Sequence, residues 1–184
     1  MKKKTKKKTA PMDLKSKIRT VMDFPKPGIG FKDITTLLLD PMALVESVKR
    51  MAGPFRKAGI AKIVGIESRG FIFGMPMAFF MKVPFVPIRK PGKLPAPTEE
   101  ESYQLEYGTD RIQIHRDAIA PGDRVLLVDD LLATGGTMSA AVNLIRKLGG
   151  LVEGVVFLIE LDFLKGREKL QGVKVHSLIH YDGE

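Results

Sequence analysis

The stretch VLLVDDLLATGGTMSAA, Val125–Ala141, decides the fold of this chain. Its first four residues are all apolar, which is typical of a strand buried on both faces of a parallel sheet. Two acids follow, and then the glycine-rich turn ATGGT (Ala133–Thr137) leads into a segment with helical character. A strand, a glycine-rich turn and a helix in this order predict an α/β unit that binds its ligand at the carboxyl end of the strand.

The turn after this strand has the composition of a phosphate-binding site. Two adjacent glycines let several backbone N–H groups approach one anion, and the N-terminus of the following helix adds partial positive charge. Two threonine hydroxyl groups are further donors. The residues expected to bind phosphate are Ala133, Thr134, Gly135, Gly136 and Thr137.

The adjacent Asp129 and Asp130 would repel a phosphate and need a separate explanation. Carboxylates accept hydrogen bonds, so they match the 2′ and 3′ hydroxyl groups of a ribose, or waters on a magnesium ion. Phosphate donors a few residues after hydroxyl acceptors predict a site for ribose 5-phosphate. The alternative, in which Asp130 only caps a turn, leaves the acidic pair behind a buried strand unexplained.

On both sides of this stretch, segments with strand and helix spacing alternate along the chain. This alternation favours an α/β fold, a single domain with a twisted, mainly parallel sheet flanked by helices. Strands are predicted at Lys62–Ile66, Phe85–Ile88, Arg124–Asp130, Val152–Leu161 and Val173–Ile179, with a hairpin at Tyr103–Tyr107 and Ile112–His115. Loops are predicted at Phe24–Ile34 and, as a mobile segment, at residues 89–101.

Helix signals fill the remaining segments. Asp13 is a predicted N-cap whose helix would carry Leu14, Ile18, Val21 and Met22 on one face. Further helices are predicted from Asp40 to Gly59, from the segment after Ile66 to Met81, and from the glycine-rich turn to Leu148. The apolar side chains expected to fill the core in the second of these are Met75, Met77, Phe79, Phe80 and Met81.

Composition limits the classes of function. The chain has 184 residues and no cysteine, which excludes disulfides and thiolate metal sites, and three histidines are too few for a histidine-rich centre. No residue is assigned as a metal ligand. No apolar run reaches the ~18–20 residues of a membrane-spanning helix. We expect a cytoplasmic protein with no membrane partner.

The net charge of +9 is unevenly distributed. Six lysines within residues 2–8 supply six of these charges, so the rest of the chain carries only +3. We expect residues 1–12 to form a disordered, solvated tail with no specific nucleic-acid partner, and residues 13–184 to form one domain. A lysine tail of this kind also fits a nucleic-acid or membrane-surface patch, which the sequence leaves open.

The segment VLLVDDLLATGGT resembles the motif with which type I phosphoribosyltransferases bind phosphoribosyl pyrophosphate (PRPP). Three further segments resemble adenine phosphoribosyltransferases in particular. They are FPKPGIGFKDIT from Phe24, GIESRGFIFG from Gly65, and IRKPGKLPAPT with SYQLEYG from Ile88 to Gly108. The resemblance is collinear over nearly all of residues 13–184, and it implies a small hood, a flexible hairpin loop and a homodimer.

The resemblance implies transfer of the phosphoribosyl group of PRPP to adenine, with Mg²⁺ bound alongside PRPP. Phe31 would stack on the base, Leu131 would close its opposite face, and backbone groups at Gly30 and Lys32 would read its edge. Residues expected at the leaving pyrophosphate are Arg69, Arg89, Lys90, Lys93 and Tyr107. Those expected to be catalytic are Arg69 and Glu106, the latter as proton donor to the base or as its orienting group.

Alternatives stay open at several of these positions. Phe31 could instead fill the core. The basic loop with Arg89, Lys90 and Lys93 could be merely solvated, and Glu106 could be an ordinary strand residue that faces outward. A related enzyme acting on hypoxanthine, guanine or xanthine is the nearest rival function. A rival of another class is a PRPP-sensing regulator without catalysis, whose lysine tail binds nucleic acid.

Overall fold

The computed structural model describes residues 11–105 and 108–183. They belong to two compact units, one reaching to Glu46 and the other starting at Ser47. Most of the lysine-rich tail lies outside the described residues. The predicted extents of the tail and of a single domain therefore stay predictions.

The amino-terminal unit is built around a short hairpin. In chain order it contains a 3-10 helix (Lys15–Lys17), β1 (Arg19–Val21), β2 (Phe31–Asp33), α1 (Thr35–Leu38) and the start of α2 (Pro41–Ala52), within which the division falls. β1 and β2 pair antiparallel, with Val21 opposite Phe31. Arg19 and Asp33 form an ion pair across the two strands, and this hydrogen-bonded pairing lowers the pKa of Asp33 to about 2.

The helix predicted from Asp13 to Met22 is wrong. Oδ1 of Asp13 accepts a hydrogen bond from the backbone of Lys15, at 3.0 Å, but only three helical residues follow. Arg19–Val21 is extended because it pairs with β2, and that pairing overrides the local helix signal. For the same reason the predicted loop Phe24–Ile34 contains a strand.

The second unit carries the parallel sheet. Its elements in chain order are β3 (Lys62–Ile66), α3 (Arg69–Met81), β4 (Phe85–Ile88), β5 (Thr98–Leu105), β6 (Gly108–His115), β7 (Arg124–Leu132), α4 (Gly136–Lys147), β8 (Leu151–Leu161) and β9 (Val175–Tyr181). Five strands form one parallel sheet in the order β4-β3-β7-β8-β9. The predicted α/β fold with a parallel sheet is confirmed, and each predicted sheet strand exists with shifts of a few residues at its ends.

One face of this sheet forms a buried core with α4 and the hairpin β5–β6. Val64, Leu127 and Val155 come from three adjacent strands and pack with Leu144 of α4 and Ile114 of β6. The central strand β7 has four consecutive fully buried residues, as its apolar run predicts. Because the strands are parallel, their carboxyl ends meet along one edge of the sheet.

The hairpin is longer than its sequence suggests. β5 and β6 have eight residues each and pair from Thr98 opposite His115 to Leu105 opposite Gly108. The predicted loop at residues 89–101 therefore overlaps the first four residues of β5. Three consecutive glutamates in this part of β5 conceal the alternation of a strand, and the structure pairs them with β6 instead.

The apolar residues of α3 are only partly in the core, so that prediction is wrong for three of them. Phe73 and Met77 are fully buried, but Met75 is 53% exposed and Phe79 is 87% exposed, and Phe80 is exposed as well. Met75 and Phe79 are four residues apart, so they share the face of the helix opposite to the buried one. Among the described residues, no helix has the length and apolar character needed to span a bilayer.

Candidate active site

Two neighbouring strands bring the predicted site residues of the second unit together. β3 pairs with β7 such that Gly65 lies opposite Val128, so the segment after β3 comes beside Asp129 and Asp130. Gly70, in the first turn of α3, lies against the end of β7, and a β-carbon there would be only 2.7 Å from the Val128 carbonyl oxygen. This close approach carries Arg69 to the acidic pair.

A cavity of about 190 Å³ opens at this edge of the sheet. Three sequence segments that are far apart in the chain, and the hairpin, contribute its walls. The lining residues are Ile66, Glu67, Ser68, Arg69, Lys90, Tyr103, Ile112, Asp129, Asp130 and Thr137. The cavity therefore combines three acids (Glu67, Asp129 and Asp130), two cations and a threonine hydroxyl on a partly apolar floor.

Of the acidic pair at the end of β7, Asp130 is buried and Asp129 is half-buried. Burial raises the pKa of Asp129 well above its usual value, and the neighbouring charge of Asp130 raises it further. Burial also raises the pKa of Asp130, although Arg69 opposes this change with its Nε 3.0 Å from Oδ2 of Asp130. That oxygen is buried, and no group in residues 11–105 and 108–183 donates a hydrogen bond to it. Arg69 is its ionic partner, and a ligand hydroxyl would supply the hydrogen bond that it lacks.

The glycine-rich turn forms a second, smaller cavity of about 90 Å³. It is lined by Asp129, Leu131, Leu132, Ala133, Thr134, Gly135, Gly136, Thr137, Met138 and Phe157. Gly135 has φ +77 and precedes α4, whose first backbone N–H groups have no partner within the helix. Thr137 lines both cavities, so the two are adjacent. The turn can thus present amide hydrogens to an anion beside the acidic pair.

Lys90 is the loop cation that lines the larger cavity. Its Nζ forms an ion pair with Asp110 and lies 2.9 Å from the hydroxyl oxygen of Tyr103. The Tyr103 hydroxyl in turn donates to Oδ2 of Asp110 at 2.9 Å. Burial opposes the charge on Lys90, but the bonds to Asp110 and Tyr103 prevail and raise the pKa of Lys90. The hairpin therefore holds a charged ammonium group at the cavity wall.

The other two loop cations have different surroundings. Arg89 binds the carboxylate of Glu67 with two hydrogen bonds of 3.0 and 3.1 Å, and this contact lowers the pKa of Glu67. The backbone N–H of Lys90 also donates to Glu67, at 2.8 Å. Among the described residues that line the larger cavity, neither Arg89 nor Lys93 is present. Their predicted contacts with pyrophosphate stay predictions.

Comparison with known proteins identifies the family to which the chain belongs. Residues 36–177 match the family model of the phosphoribosyl transferase domain. An adenine phosphoribosyltransferase of Clostridium perfringens is 56% identical over 171 residues, 93% of this chain and 99% of the relative. The chain belongs to the adenine phosphoribosyltransferase family.

Solved structures of adenine phosphoribosyltransferases agree with this family membership. The enzyme of Thermoanaerobacter pseudethanolicus has a TM-score of 0.89 and 50% identity, covering 91% of this chain and 98% of that one. The enzyme of Saccharomyces cerevisiae, complexed with adenine and an iminoaltritol bisphosphate, has a TM-score of 0.85 and 38% identity, covering 90% and 96%. The predicted type I phosphoribosyltransferase fold is thereby confirmed.

The base-binding residues predicted for this adenine phosphoribosyltransferase family member lie partly in the amino-terminal unit. Phe31, on β2, is half-buried and meets Phe24 edge to face, with ring centroids 5.1 Å apart. Lys32 is buried, and Gly30 directly precedes β2. In the second unit, Leu131 lines the smaller cavity. Their roles toward a base stay predictions.

Two predicted residues of the hairpin cannot be placed. Glu106 and Tyr107 lie outside the described residues, between the ends of β5 and β6. Three further residues of the site were not predicted from the sequence. Glu67 and Tyr103 line the larger cavity, and Asp110 holds Lys90. The ESRG and SYQLEYG segments contained Glu67 and Tyr103, but Asp110 carried no local signal.

Proposed function

We propose that this protein transfers the 5-phosphoribosyl group of PRPP to adenine, forming AMP and releasing pyrophosphate in purine salvage. The observation that carries the proposal is the convergence of a phosphate-type turn, the acidic pair Asp129–Asp130 and Arg69 at one edge of the sheet. Family membership supports adenine as the base.

Different residues of the second unit bind different parts of PRPP. Backbone N–H groups of Ala133–Thr137 and the threonine hydroxyls bind the 5′-phosphate. Asp129 and Asp130 accept hydrogen bonds from the ribose hydroxyls, which relieves the unsatisfied Oδ2 of Asp130. Fixing both ends of the ribose phosphate aligns C1′ with the incoming base and the departing group.

In the reaction, a ring nitrogen of adenine attacks C1′ from the face opposite pyrophosphate. The C1′–O bond breaks as the C–N bond forms, so the configuration at C1′ inverts and pyrophosphate leaves with the bonding electrons. The transition state has oxocarbenium character in the ribose ring, as in other glycosyl transfers. Arg69 and Lys90 stabilise the negative charge that develops on the leaving group. Adenine loses its imidazole proton when the C–N bond forms; Glu106 orients the base and takes up this proton, so in the reverse reaction Glu106 is the proton donor to the base.

The acidic pair also fits the magnesium ion expected with PRPP. Carboxylate oxygens are hard ligands, and Oδ2 of Asp130 is a buried acceptor without a donor among the described residues. Asp129 and Asp130 would hold the ion directly or through its waters. When bound, Mg²⁺ neutralises charge on the pyrophosphate group.

Phe31 is proposed as the stacking partner of adenine. Its ring is neither fully buried nor fully exposed, and it already takes part in an aromatic contact with Phe24. An aromatic ring against a base contributes about 1–3 kcal/mol in nucleic-acid sites. Replacement of Phe31 by alanine should therefore raise KM for adenine about 5- to 100-fold.

We also propose a cytoplasmic homodimer. The exposed face of α3 supports an interface, because the large apolar side chains of Met75 and Phe79 would stay exposed to solvent in a monomer. Sedimentation of the protein and of Phe79→Ser tests this assignment. A wild-type monomer at micromolar concentration would contradict it.

The decisive experiment is incubation with PRPP, Mg²⁺ and adenine, with AMP and pyrophosphate measured by chromatography. AMP should form only when all three are present. Parallel reactions with hypoxanthine, guanine and xanthine test the rival substrates, because a site that reads hydrogen bonds discriminates strongly between them. Absence of AMP, together with a nucleic-acid gel shift that disappears on deletion of residues 2–8, would favour the regulator instead.

A further inference from the structure

The segment that follows β8 packs directly against the phosphate-binding turn. Two 3-10 helices, Asp162–Leu164 and Gly166–Leu170, connect β8 toward β9. Gly166 is buried although the residues on either side of it are exposed. The proposed function gives this segment no role, but its backbone contacts the turn that is expected to bind the 5′-phosphate.

The contact consists of two glycines that face each other. A β-carbon on Gly135 would overlap the carbonyl oxygen of Gly166, and one on Gly166 would overlap the carbonyl oxygen of Ala133. The same added carbon on Gly166 would lie 2.9 Å from Cδ1 of Leu132. The backbones of the two segments are therefore so close that a β-carbon on either glycine would collide with the opposite segment.

An ion pair between the exposed Arg167 and the buried Glu160 fixes the segment that carries Gly166. Glu160 is 3% exposed, and its two carboxylate oxygens accept hydrogen bonds of 2.5 and 2.7 Å from Nε and Nη2 of Arg167. The third guanidinium nitrogen, Nη1, donates to the carbonyl oxygen of Val175 at 3.3 Å. Arg167 thus ties the 3-10 helix to both β8 and β9.

The acidic partner of this ion pair, Glu160, lies on β8 beside the residue of β7 that precedes the turn. Glu160 pairs with Leu132 across β8 and β7, and Leu132 immediately precedes the turn. The segment that carries Gly166 is therefore linked to the turn in two ways. It contacts the turn directly through the glycines, and it is joined to Leu132 through Arg167, Glu160 and the β8–β7 pairing. A bidentate Arg–carboxylate pair is well suited to this, because its planar fork fixes direction as well as distance.

We propose that Gly166 and Arg167 are positioning residues that hold the Ala133–Thr137 turn in the conformation that binds the 5′-phosphate of PRPP and AMP. This inference rests on the proposed function of the turn. Neither residue contacts substrate. Both act through the turn, so their loss should weaken ligands that carry the 5′-phosphate and spare adenine, which does not.

Steady-state kinetics of Gly166→Ala and Arg167→Lys test the proposal. A displacement of about 1 Å in a substrate-holding group can reduce activity about 100-fold. We expect KM for PRPP to rise about 10- to 100-fold in Gly166→Ala, with a smaller rise in Arg167→Lys, which keeps the charge but loses the fork. KM for adenine should change less than about twofold, and calorimetry should show the same loss for AMP as for PRPP.

Two control variants match these changes. Glu168→Gln alters an exposed residue of the same 3-10 helix, and Gly53→Ala adds a β-carbon where no atom lies within 4 Å. Both should keep the wild-type KM for PRPP. If Gly166→Ala does not fold, Arg167→Lys decides, because it leaves both glycines in place and weakens only the pair with Glu160; a wild-type KM for PRPP in this variant overturns the inference.

The outcomes separate this inference from the proposed function. A wild-type protein that forms no AMP contradicts the function, and ribose 5-phosphate binding measured by calorimetry then still tests the role of Gly166 and Arg167. A folded Gly166→Ala protein with wild-type affinity for PRPP and AMP overturns the inference. So does an equal loss of affinity for PRPP and adenine, because a general structural effect would produce it.

Discussion

Replacing Asp129 by asparagine should stabilise the ligand-free protein while weakening its binding of AMP. Burial and the adjacent charge of Asp130 both raise the pKa of Asp129, so the ionised carboxylate is unfavourable in the folded chain. Oδ1 of Asp129 accepts a hydrogen bond from the backbone N–H of Asp130 at 2.9 Å, and an asparagine carbonyl oxygen can keep it. The substitution therefore removes the charge and retains the local geometry.

The size of the effect follows from the partners of the acidic pair. Removal of an unfavourable buried feature commonly adds about 0.5–2 kcal/mol to the free energy of unfolding. The lower half of this range is expected, because Arg69, with Nε 3.0 Å from Asp130, already offsets part of the negative charge. For a chain of this length, each kcal/mol raises Tm by about 2–4 °C.

The sign of the pH dependence is also fixed. Since the folded-state pKa of Asp129 lies above that of the unfolded chain, the folded state binds more protons in the interval between them. The contribution of Asp129 to wild-type stability should therefore fall as pH rises from about 4, the unfolded value, toward the folded pKa. The gain from Asp129→Asn should vanish at low pH and be fully present above the folded pKa.

Thermal unfolding between pH 4 and 8, with and without AMP, measures both parts of the prediction. AMP at 100 times its Kd should stabilise the wild type by about 2.7 kcal/mol and the variant by less. Asp123→Asn is the matched control with the opposite sign, since the Lys62 ammonium 2.8 Å away lowers the pKa of Asp123. Destabilisation by Asp129→Asn at pH 7, equal to that of the control, would refute the electrostatic reasoning.

Four further substitutions test the remaining assignments of the site. Thr137→Val removes a hydroxyl from both cavities and should raise KM for PRPP about 10-fold, the worth of one hydrogen bond to a charged group; an unchanged KM contradicts its assignment. Asp110→Asn leaves Lys90 without its ionic partner and should raise KM for pyrophosphate in the reverse reaction about threefold, whereas Lys90→Met should raise it about 10-fold or more. Glu106→Gln should lower kcat about 100-fold with little change in KM for adenine, and intact turnover would show that Glu106 is not catalytic.

Much of the fold and part of the site could be predicted from local sequence. The apolar run Val125–Val128 indicated a buried parallel strand, which the structure confirms, and the following turn predicted a cavity at the carboxyl edge of the sheet. Asp129 and Asp130 could be predicted as hydroxyl acceptors because their chemistry and their place at a strand end are both local features. The family resemblance added Arg69, which the structure brings to Asp130.

The errors of the sequence analysis arose where long-range pairing outweighs local preference. Arg19–Val21 has helical spacing but pairs with β2, and the glutamates of β5 conceal a strand that β6 completes. Apolar residues of α3 were assigned to the core, although helix geometry places Phe79 on the face away from the sheet. Composition cannot show which face of a uniformly apolar helix is buried.

The sequence by itself determined where the glycine-rich turn and the acidic pair lie, because both are encoded in consecutive residues after one buried strand. Only the tertiary structure decided how those groups are charged and held. Lys90 is paired with Asp110, 20 residues away, and Gly135 rests on Gly166 beyond the next strand. Such contacts depend on where separate segments meet in space, and no periodicity or spacing within one segment encodes them.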